Sequence, residues 1–114
     1  MRKTYKKGDI IYYNQKVING SIQSGLRPYI VLSNNTYNYY SPIINVAPIS
    51  TKVNKKSPVH FYLSKDLGLS CDSVILLEQI TSVCKDECEN VITHLSDLIL
   101  SEIDKMIKFQ FSIF

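Results

Sequence analysis

Four polar or charged residues of this sequence stand where an apolar, strand-like run begins or ends. Arg27 precedes the run at residues 29–33, and Glu78 directly follows the most apolar stretch of the chain. Ser50 and Thr51 directly follow a third such run, at residues 43–49, which lies between the other two in the sequence. In a curved sheet, such strand ends can meet in a pocket. An arginine that neutralises a phosphate, a hydroxyl that holds a nucleophile and a carboxylate that takes up a proton would suffice there for phosphodiester transesterification.

Arg27 also follows a segment whose composition predicts a long loop. Residues 14–24 are polar and aperiodic, and eleven residues is long for a connection within a small domain. Pro28 favours an extended conformation at the residue before it. We therefore expect a fixed cation where a loop becomes a strand, which suits an anion site. The alternatives are that Arg27 pairs with a surface carboxylate and that Glu78 anchors a turn.

The bulk composition indicates one globular domain over residues 1–114. Hydrophobic residues make up 45% of the chain and charged residues 20%, and no apolar run is long enough to cross a membrane. The basic start lacks the apolar segment of a signal peptide, so we expect a cytoplasmic protein. The chain has three cysteines, Cys71, Cys84 and Cys88. An odd number of cysteines favours reduced, buried structural thiols over a disulfide framework.

The spacing of possible ligands predicts neither a metal site nor a cofactor. Cys84 and Cys88 are four residues apart, but Cys71 would be a lone third ligand. His60 and His94 each lie in a strand-like run without a partner at metal-binding spacing, so we expect both to be hydrogen-bonded within a sheet. The chain contains no Walker loop and no dinucleotide-binding glycine motif.

Charge is distributed unevenly along the chain. Residues 1–65 carry ten lysines or arginines against one acid, a balance of +9. Residues 66–114 carry three lysines against nine acids, a balance of −6. The basic half could face a polyanion through its loop at residues 52–56, and Tyr37, in a tyrosine-rich turn, could stack on a base. The alternative is that the two halves interleave and their fields cancel.

Hydrophobic patterning predicts a mainly β protein with a C-terminal α-helix. The helix should begin after Ser96, a good N-cap, because apolar residues then recur at helical spacing. The short strands indicate a small, strongly bent sheet or barrel against which the helix packs. We predict strands at residues 10–13, 29–33, 43–49, 59–63, 73–77 and 91–95, a turn at 34–38 and one helical turn at 83–89.

Several blocks of the chain, in this order and spacing, resemble the MazF/PemK toxins, which are the endoribonuclease halves of bacterial type II toxin–antitoxin modules. The resemblance covers nearly the whole chain and continues into the terminal helix. Its blocks are residues 8–10 (Gly-Asp-Ile), 20–28 (Gly-Ser-Ile-Gln-Ser-Gly-Leu-Arg-Pro), 40–42 (Tyr-Ser-Pro), 46–50 (Val-Ala-Pro-Ile-Ser), 72–80 (Asp-Ser-Val-Ile-Leu-Leu-Glu-Gln-Ile) and 95–97 (Leu-Ser-Asp).

The resemblance implies a homodimer of SH3-like, partly open barrels and a partner antitoxin peptide, which we expect to be acidic. It implies metal-independent, sequence-specific cleavage of single-stranded RNA (mRNA) by attack of a ribose 2′-OH on the adjacent phosphate, leaving a 2′,3′-cyclic phosphate and a 5′-OH. Arg27 matches the family's catalytic arginine, and Ser50 matches its catalytic threonine or serine. The loop before Arg27 matches a mobile cover over the active site. We predict RNA contacts by Gln23, Tyr37, Thr51, Lys52, Lys55 and Lys56.

The chain departs from the family at two positions. Ile22 replaces a glutamate that is a proposed acid or base in some members, so we assign the carboxylate role to Glu78, which matches an aspartate proposed as a base in another branch. Thr81 replaces a common arginine, which removes one cation from the expected RNA surface. These departures leave two alternatives, a catalytically silent nucleic-acid-binding barrel and a toxin that targets DNA gyrase like CcdB, although the intact Arg27 and Ser50 blocks argue against both.

Overall fold

Short antiparallel strands dominate the computed structural model, which describes residues 4–16, 25–52 and 57–113. The strands run in sequence with a short helix after the second strand and a longer helix at the end, so the predicted mainly β fold with a C-terminal helix is confirmed. The elements are β1 (Asp9–Gln15), β2 (Gly25–Val31), α1 (Asn35–Tyr40), β3 (Ile43–Ser50), β4 (His60–Leu63), β5 (Ser73–Leu76), β6 (Thr81–Cys84), β7 (Val91–His94) and α2 (Asp97–Gln110). Single turns of 3-10 helix follow β4, β5 and β6 at Lys65–Leu67, Leu77–Gln79 and Lys85–Glu87.

Strand β3 is the strand around which the sheet bends. The strands lie in the order β4-β5-β3-β2-β1-β7, and β6 also pairs with β3. Residues 46–48 of β3 pair with β2, residues 49–50 pair with β5, and residues 43–46 pair with β6. Strand β3 therefore pairs with three different strands along its length, which is consistent with the predicted bent sheet.

Each face of the sheet carries its own hydrophobic cluster. Successive residues of a strand point to opposite faces. Accordingly, Ile10 and Ile30 pack with Ile103 of α2 in one cluster, while Ile11 and Val31 pack in the other. The face that a side chain occupies can therefore be read from its position relative to these residues.

Helix α2 begins as the sequence predicts and packs close to the start of β1. The Ser96 hydroxyl accepts a hydrogen bond from the Ile99 N–H at 3.4 Å. Leu100 is buried against the sheet. Gly8 is required at this approach, because a Cβ there would lie 2.7 Å from Leu100 Cδ1 and its φ is +97°.

Two sequence predictions of local structure are wrong, and a third is right only in part. Strand β2 begins at Gly25, not at residue 29; Pro28 is tolerated inside it because residues 25–28 pair with β1 but not with β3. The expected turn at residues 34–38 is instead the start of α1, where the Asn34 side chain accepts from the Tyr37 N–H at 2.8 Å. The helical turn expected at residues 83–89 is a single 3-10 turn at Lys85–Glu87, because the two residues before it belong to β6 and pair with β3.

The cysteines are not uniformly buried as expected. Cys88 is buried in a core cluster, but Cys71 and Cys84 are exposed. Part of the predicted loop at residues 14–24 is also strand, because β1 continues through Asn14 and Gln15. Residues 17–24 of that loop lie outside the described residues. In the described part of the chain, no helix is both long and apolar enough to cross a membrane.

Candidate active site

Arg27 and Ser50 lie at the same end of the pairing between β2 and β3. The last pair at that end joins Tyr29 with Pro48, and Arg27 and Ser50 each lie two residues beyond it. Both residues are an even number of positions from that pair, so both have the strand parity of the same face of the sheet. The structure therefore places the arginine and the hydroxyl that the sequence singled out at the same end of two neighbouring strands.

The Ser50 side chain is buried and oriented. It is 6% exposed, and its residue pairs with Val74 of β5. Its Oγ accepts a hydrogen bond from the Lys52 N–H at 3.1 Å, which fixes the hydroxyl at the turn after β3. The hydroxyl hydrogen can still be donated, because a serine side chain is both donor and acceptor.

Two tyrosines that sequence reasoning missed surround the strand position of Arg27. Tyr13 is directly opposite Arg27 in the β1–β2 register, and Tyr29 is two residues along on the same face. Their rings meet edge to face with centroids 5.5 Å apart and planes at 89°. Burial raises the pKa of Tyr29, while the Arg27 guanidinium lowers it. The sequence offers only a weak signal for this contact. Tyr13 is two positions from Ile11, and Tyr29 is two positions from Val31, so each tyrosine lies on the same face as a core residue of its own strand.

A cleft of about 650 Å³ opens beside Arg27 on the face that carries α2. Thr51 also lines it, as expected for a residue of the predicted site. Among the described residues that form its wall, Arg27 is the one with a charged side chain. The residues that line it include Tyr12, Leu26, Arg27, Pro28, Thr51 and Ile92. Arg27 lines this cleft although its strand parity is that of the opposite face of the sheet.

Glu78 lies elsewhere, in an ion pair with His60. Its Oε2 is 2.8 Å from His60 Nε2, and neither residue lines the Arg27 cleft. His60 lies on β4, which is separated from β3 by β5. The other ring nitrogen of His60, Nδ1, is buried and has no hydrogen-bond partner among the described residues.

The other predicted RNA contacts are distributed over the molecule. Lys52 is exposed next to Ser50 and Thr51. Tyr37 is exposed on α1, beyond the other end of β3, and seven strand steps of about 3.3 Å separate the two ends by about 23 Å. Gln23, Lys55 and Lys56 lie outside the described residues, as does Ile22.

An ion pair connects a lysine of the basic half of the chain with an aspartate of the acidic half. Lys7 Nζ is 2.8 Å from Asp104 Oδ1 of α2. The basic and acidic halves of the chain therefore lie next to each other there, which agrees with the alternative that the two halves interleave. Within residues 4–16, 25–52 and 57–113, no group of three or more histidine, cysteine, aspartate or glutamate side chains is placed to hold a metal ion.

Comparison with known proteins gives consistent matches along the chain. The family model described as PemK-like, MazF-like toxin of type II toxin–antitoxin system matches residues 6–111. The chain is 38% identical over 104 residues to Endoribonuclease MazF of Staphylococcus saprophyticus, covering 90% of this chain and 87% of that protein.

Solved structures share the fold at lower identity. The crystal structure of MazF from Deinococcus radiodurans matches with a TM-score of 0.79 and 23% identity, covering 97% of this chain and 99% of that one. An endoribonuclease in complex with its cognate antitoxin from a mycobacterial species matches with a TM-score of 0.75 and 14% identity, covering 98% of this chain and 97% of that one. With a family model that spans nearly the whole chain and a relative at 38% identity, this chain belongs to the PemK/MazF family of type II toxins.

Proposed function

We propose that this chain is the toxin of a type II toxin–antitoxin module and a sequence-specific endoribonuclease that cuts single-stranded RNA. The observation that carries the proposal is the position of Arg27 and Thr51 on the wall of one open cleft, with the buried Ser50 next to Thr51 in the chain. The relative named Endoribonuclease MazF supports this activity over a silent nucleic-acid-binding barrel or a gyrase-directed toxin. We take residues 1–114 as a single toxin domain acting in the cytoplasm, where its RNA substrate is found.

In the proposed reaction the ribose 2′-oxygen forms a bond to phosphorus and the bond from phosphorus to the 5′-oxygen breaks. The proton of the 2′-OH leaves to a base, and the 5′-oxygen takes up a proton to become a 5′-OH. Negative charge grows on the non-bridging oxygens, where Arg27 can donate two parallel hydrogen bonds. Ser50 donates to the same phosphate or orients the 2′-OH, since a serine hydroxyl is itself a poor base.

Metal-independence follows from the chemistry assigned to Arg27. The Arg27 guanidinium is a cation, so its charge is available to the transition state without a bound metal ion. The product of such a reaction is a 2′,3′-cyclic phosphate, because the attacking oxygen belongs to the RNA itself.

Glu78 has two proposed roles that differ in their effect on the rate. As a proton acceptor it would need to approach the 2′-OH, which its position outside the Arg27 cleft does not favour. As a structural anchor it would hold the turn after β5 through its 2.8 Å contact with His60. The His60 contact supports the anchor role, and the Glu78→Gln variant described in the Discussion distinguishes the two.

We propose two partners besides RNA, a second copy of the chain and an acidic antitoxin segment. Large apolar side chains are exposed on and after α2, including Leu98, Phe109, Phe111 and Ile113, and a second copy could cover them. The balance of +9 in residues 1–65 would attract an acidic segment, which would compete with RNA. A monomer mass by light scattering at micromolar concentration would refute the dimer, and salt-independent antitoxin binding that leaves RNA cleavage intact would refute the competition.

The activity is tested by incubating the purified chain with a long single-stranded RNA and mapping every cut. We expect cuts that recur at one short sequence and that are absent from the same sequence held in a duplex. Intact RNA at high protein concentration, or cuts at unrelated sequences, would contradict the proposal.

A further inference from the structure

The cleft beside Arg27 has an apolar wall that a phosphate alone would not require. Tyr12 is 42% exposed and Leu26 is 59% exposed, although both line a concave surface. Ile92 of β7 is also exposed in the wall. The wall also includes the hydroxyl side chains of Thr51, Ser70 and Ser73. One cation, an apolar surface and several hydroxyls together make a site for a ligand with one anionic part and one neutral, flat part that also carries polar groups.

The position of Tyr12 relative to Arg27 is fixed by the sheet. Tyr12 is paired with Pro28, the residue after Arg27, in the β1–β2 register. Tyr12 and Pro28 share the face of Ile10 and Ile30, whereas Arg27 has the opposite strand parity. Arg27 and Tyr12 nevertheless line the same cleft, so a phosphate held there by Arg27 has the aromatic ring of Tyr12 in the same cavity.

The geometry points to this cleft as the site of a nucleobase next to the scissile phosphate, with Tyr12 as the ring on which that base stacks. Leu26 and Ile92 form the apolar sides, and the Thr51 hydroxyl can donate to or accept from the base edge. This inference rests on the proposed endoribonuclease function and adds a base-binding subsite to it.

A nucleobase fits this cleft better than the other ligands of the proposed function. Stacking on an aromatic side chain suits any base, because every base has a π-face. A chain of acidic side chains would find only one cation among the described residues of the wall. An apolar side chain of the antitoxin is the competing occupant, and its presence is one outcome of the test.

The test measures the binding of a short RNA that spans a mapped cut site. A 2′-deoxy sugar at the scissile nucleotide removes the attacking hydroxyl, so the wild-type protein can bind without cutting. A second set of RNAs lacks the base on one side or the other of the scissile phosphate. The protein variants are Tyr12→Ala, Tyr12→Phe and, as a matched control, Tyr40→Ala on α1, where the tyrosine is 72% exposed.

We expect Tyr12→Ala to bind the intact RNA roughly 5- to 150-fold more weakly than the wild type, the loss of one base–aromatic stack. Tyr12→Phe keeps the ring and should bind within about twofold of the wild type, as should Tyr40→Ala. Removing one of the two bases should weaken wild-type binding to a similar extent. Tyr12→Ala should bind the RNA that lacks this base almost as tightly as it binds the intact RNA, because the stack is already absent in the variant.

Two results would overturn the subsite. One is that Tyr12→Ala binds the intact RNA as tightly as the wild type does. If that variant also binds the antitoxin more weakly, the cleft belongs to the antitoxin and not to a base. The other is that the effects of Tyr12→Ala and of each missing base simply add. If the wild type cuts RNA and only the Tyr12 results fail, the subsite is wrong and the proposed function stands. If the wild type cuts no RNA, the proposed function itself fails.

Discussion

Replacing Arg27 with lysine should abolish most cleavage while leaving much of the RNA affinity. Arg27 extends from within a paired strand, with Tyr13 across from it and the buried Tyr29 along the same face. Its planar guanidinium can donate two parallel hydrogen bonds to the phosphate oxygens on which charge develops. A lysine at the same position keeps one positive charge but cannot reproduce that paired geometry.

The size of the effect follows from where each contact acts. Loss of one preorganised donor to a developing oxyanion costs about 10²–10³ in rate in well-studied enzymes. We expect Lys52 and the other cations of the basic half to share the binding of RNA in the ground state with Arg27, and Arg27→Lys leaves the total charge of the chain unchanged. We therefore expect single-turnover cleavage by Arg27→Lys to fall about 100- to 1000-fold, while RNA affinity falls less than about tenfold and its salt dependence is unchanged.

The assay is single-turnover cleavage of a short RNA, with binding measured on the 2′-deoxy form of the same RNA. Lys105→Met is a matched control, because it removes an exposed cation of α2 whose contact with Glu102 is 3.2 Å. That control should cut at the wild-type rate. Near-wild-type cleavage by a folded Arg27→Lys would remove Arg27 from the active site and would favour a surface ion-pair role for it.

Three further predictions concern Ser50, Glu78 and Tyr5. Ser50→Ala should lower single-turnover cleavage about 10- to 150-fold and Ser50→Thr should largely restore it, since the hydroxyl is what matters; equal defects would exclude that role. Glu78→Gln should lower stability in urea with kcat nearly unchanged if it anchors the turn through His60, whereas a large fall in kcat would make it the proton acceptor. Burial raises the pKa of Tyr5 to about 12, and its hydroxyl donates to the Cys88 carbonyl at 3.1 Å. The unfolded chain therefore loses this proton first, so the free energy of unfolding should fall between about pH 10 and 12, and it should fall less in Tyr5→Phe.

The sequence predicted those parts of the fold that local patterns specify. Strands β1, β3, β5 and β7 follow from short apolar or β-branched runs, and α2 follows from the Ser96 cap and its apolar stripe. One local pattern misled because the same residue type serves two structures. The asparagines of residues 34–38 favour a turn, but asparagine is also a good N-cap, and Asn34 caps helix α1 there.

The candidate site was predictable residue by residue but not as an arrangement. Arg27 and Ser50 could be named from their strand ends, but that they lie at the same end of two neighbouring strands depends on the pairing of β2 with β3. The Tyr13–Tyr29 contact depends in the same way on the pairing of β1 with β2. The pairing of Glu78 with His60 joins residues that are 18 positions apart and needs the β4–β5 register, which no local pattern encodes.

The central claim is that this chain cuts RNA by attack of the RNA's own 2′-OH, with Arg27 rather than a metal stabilising the charge. Its most direct test is cleavage of a long RNA in excess EDTA, followed by chemical identification of both new ends. The account predicts undiminished cleavage that leaves a 2′,3′-cyclic phosphate on one fragment and a 5′-OH on the other. Loss of cleavage in EDTA, or fragments that carry a 5′-phosphate, would contradict it.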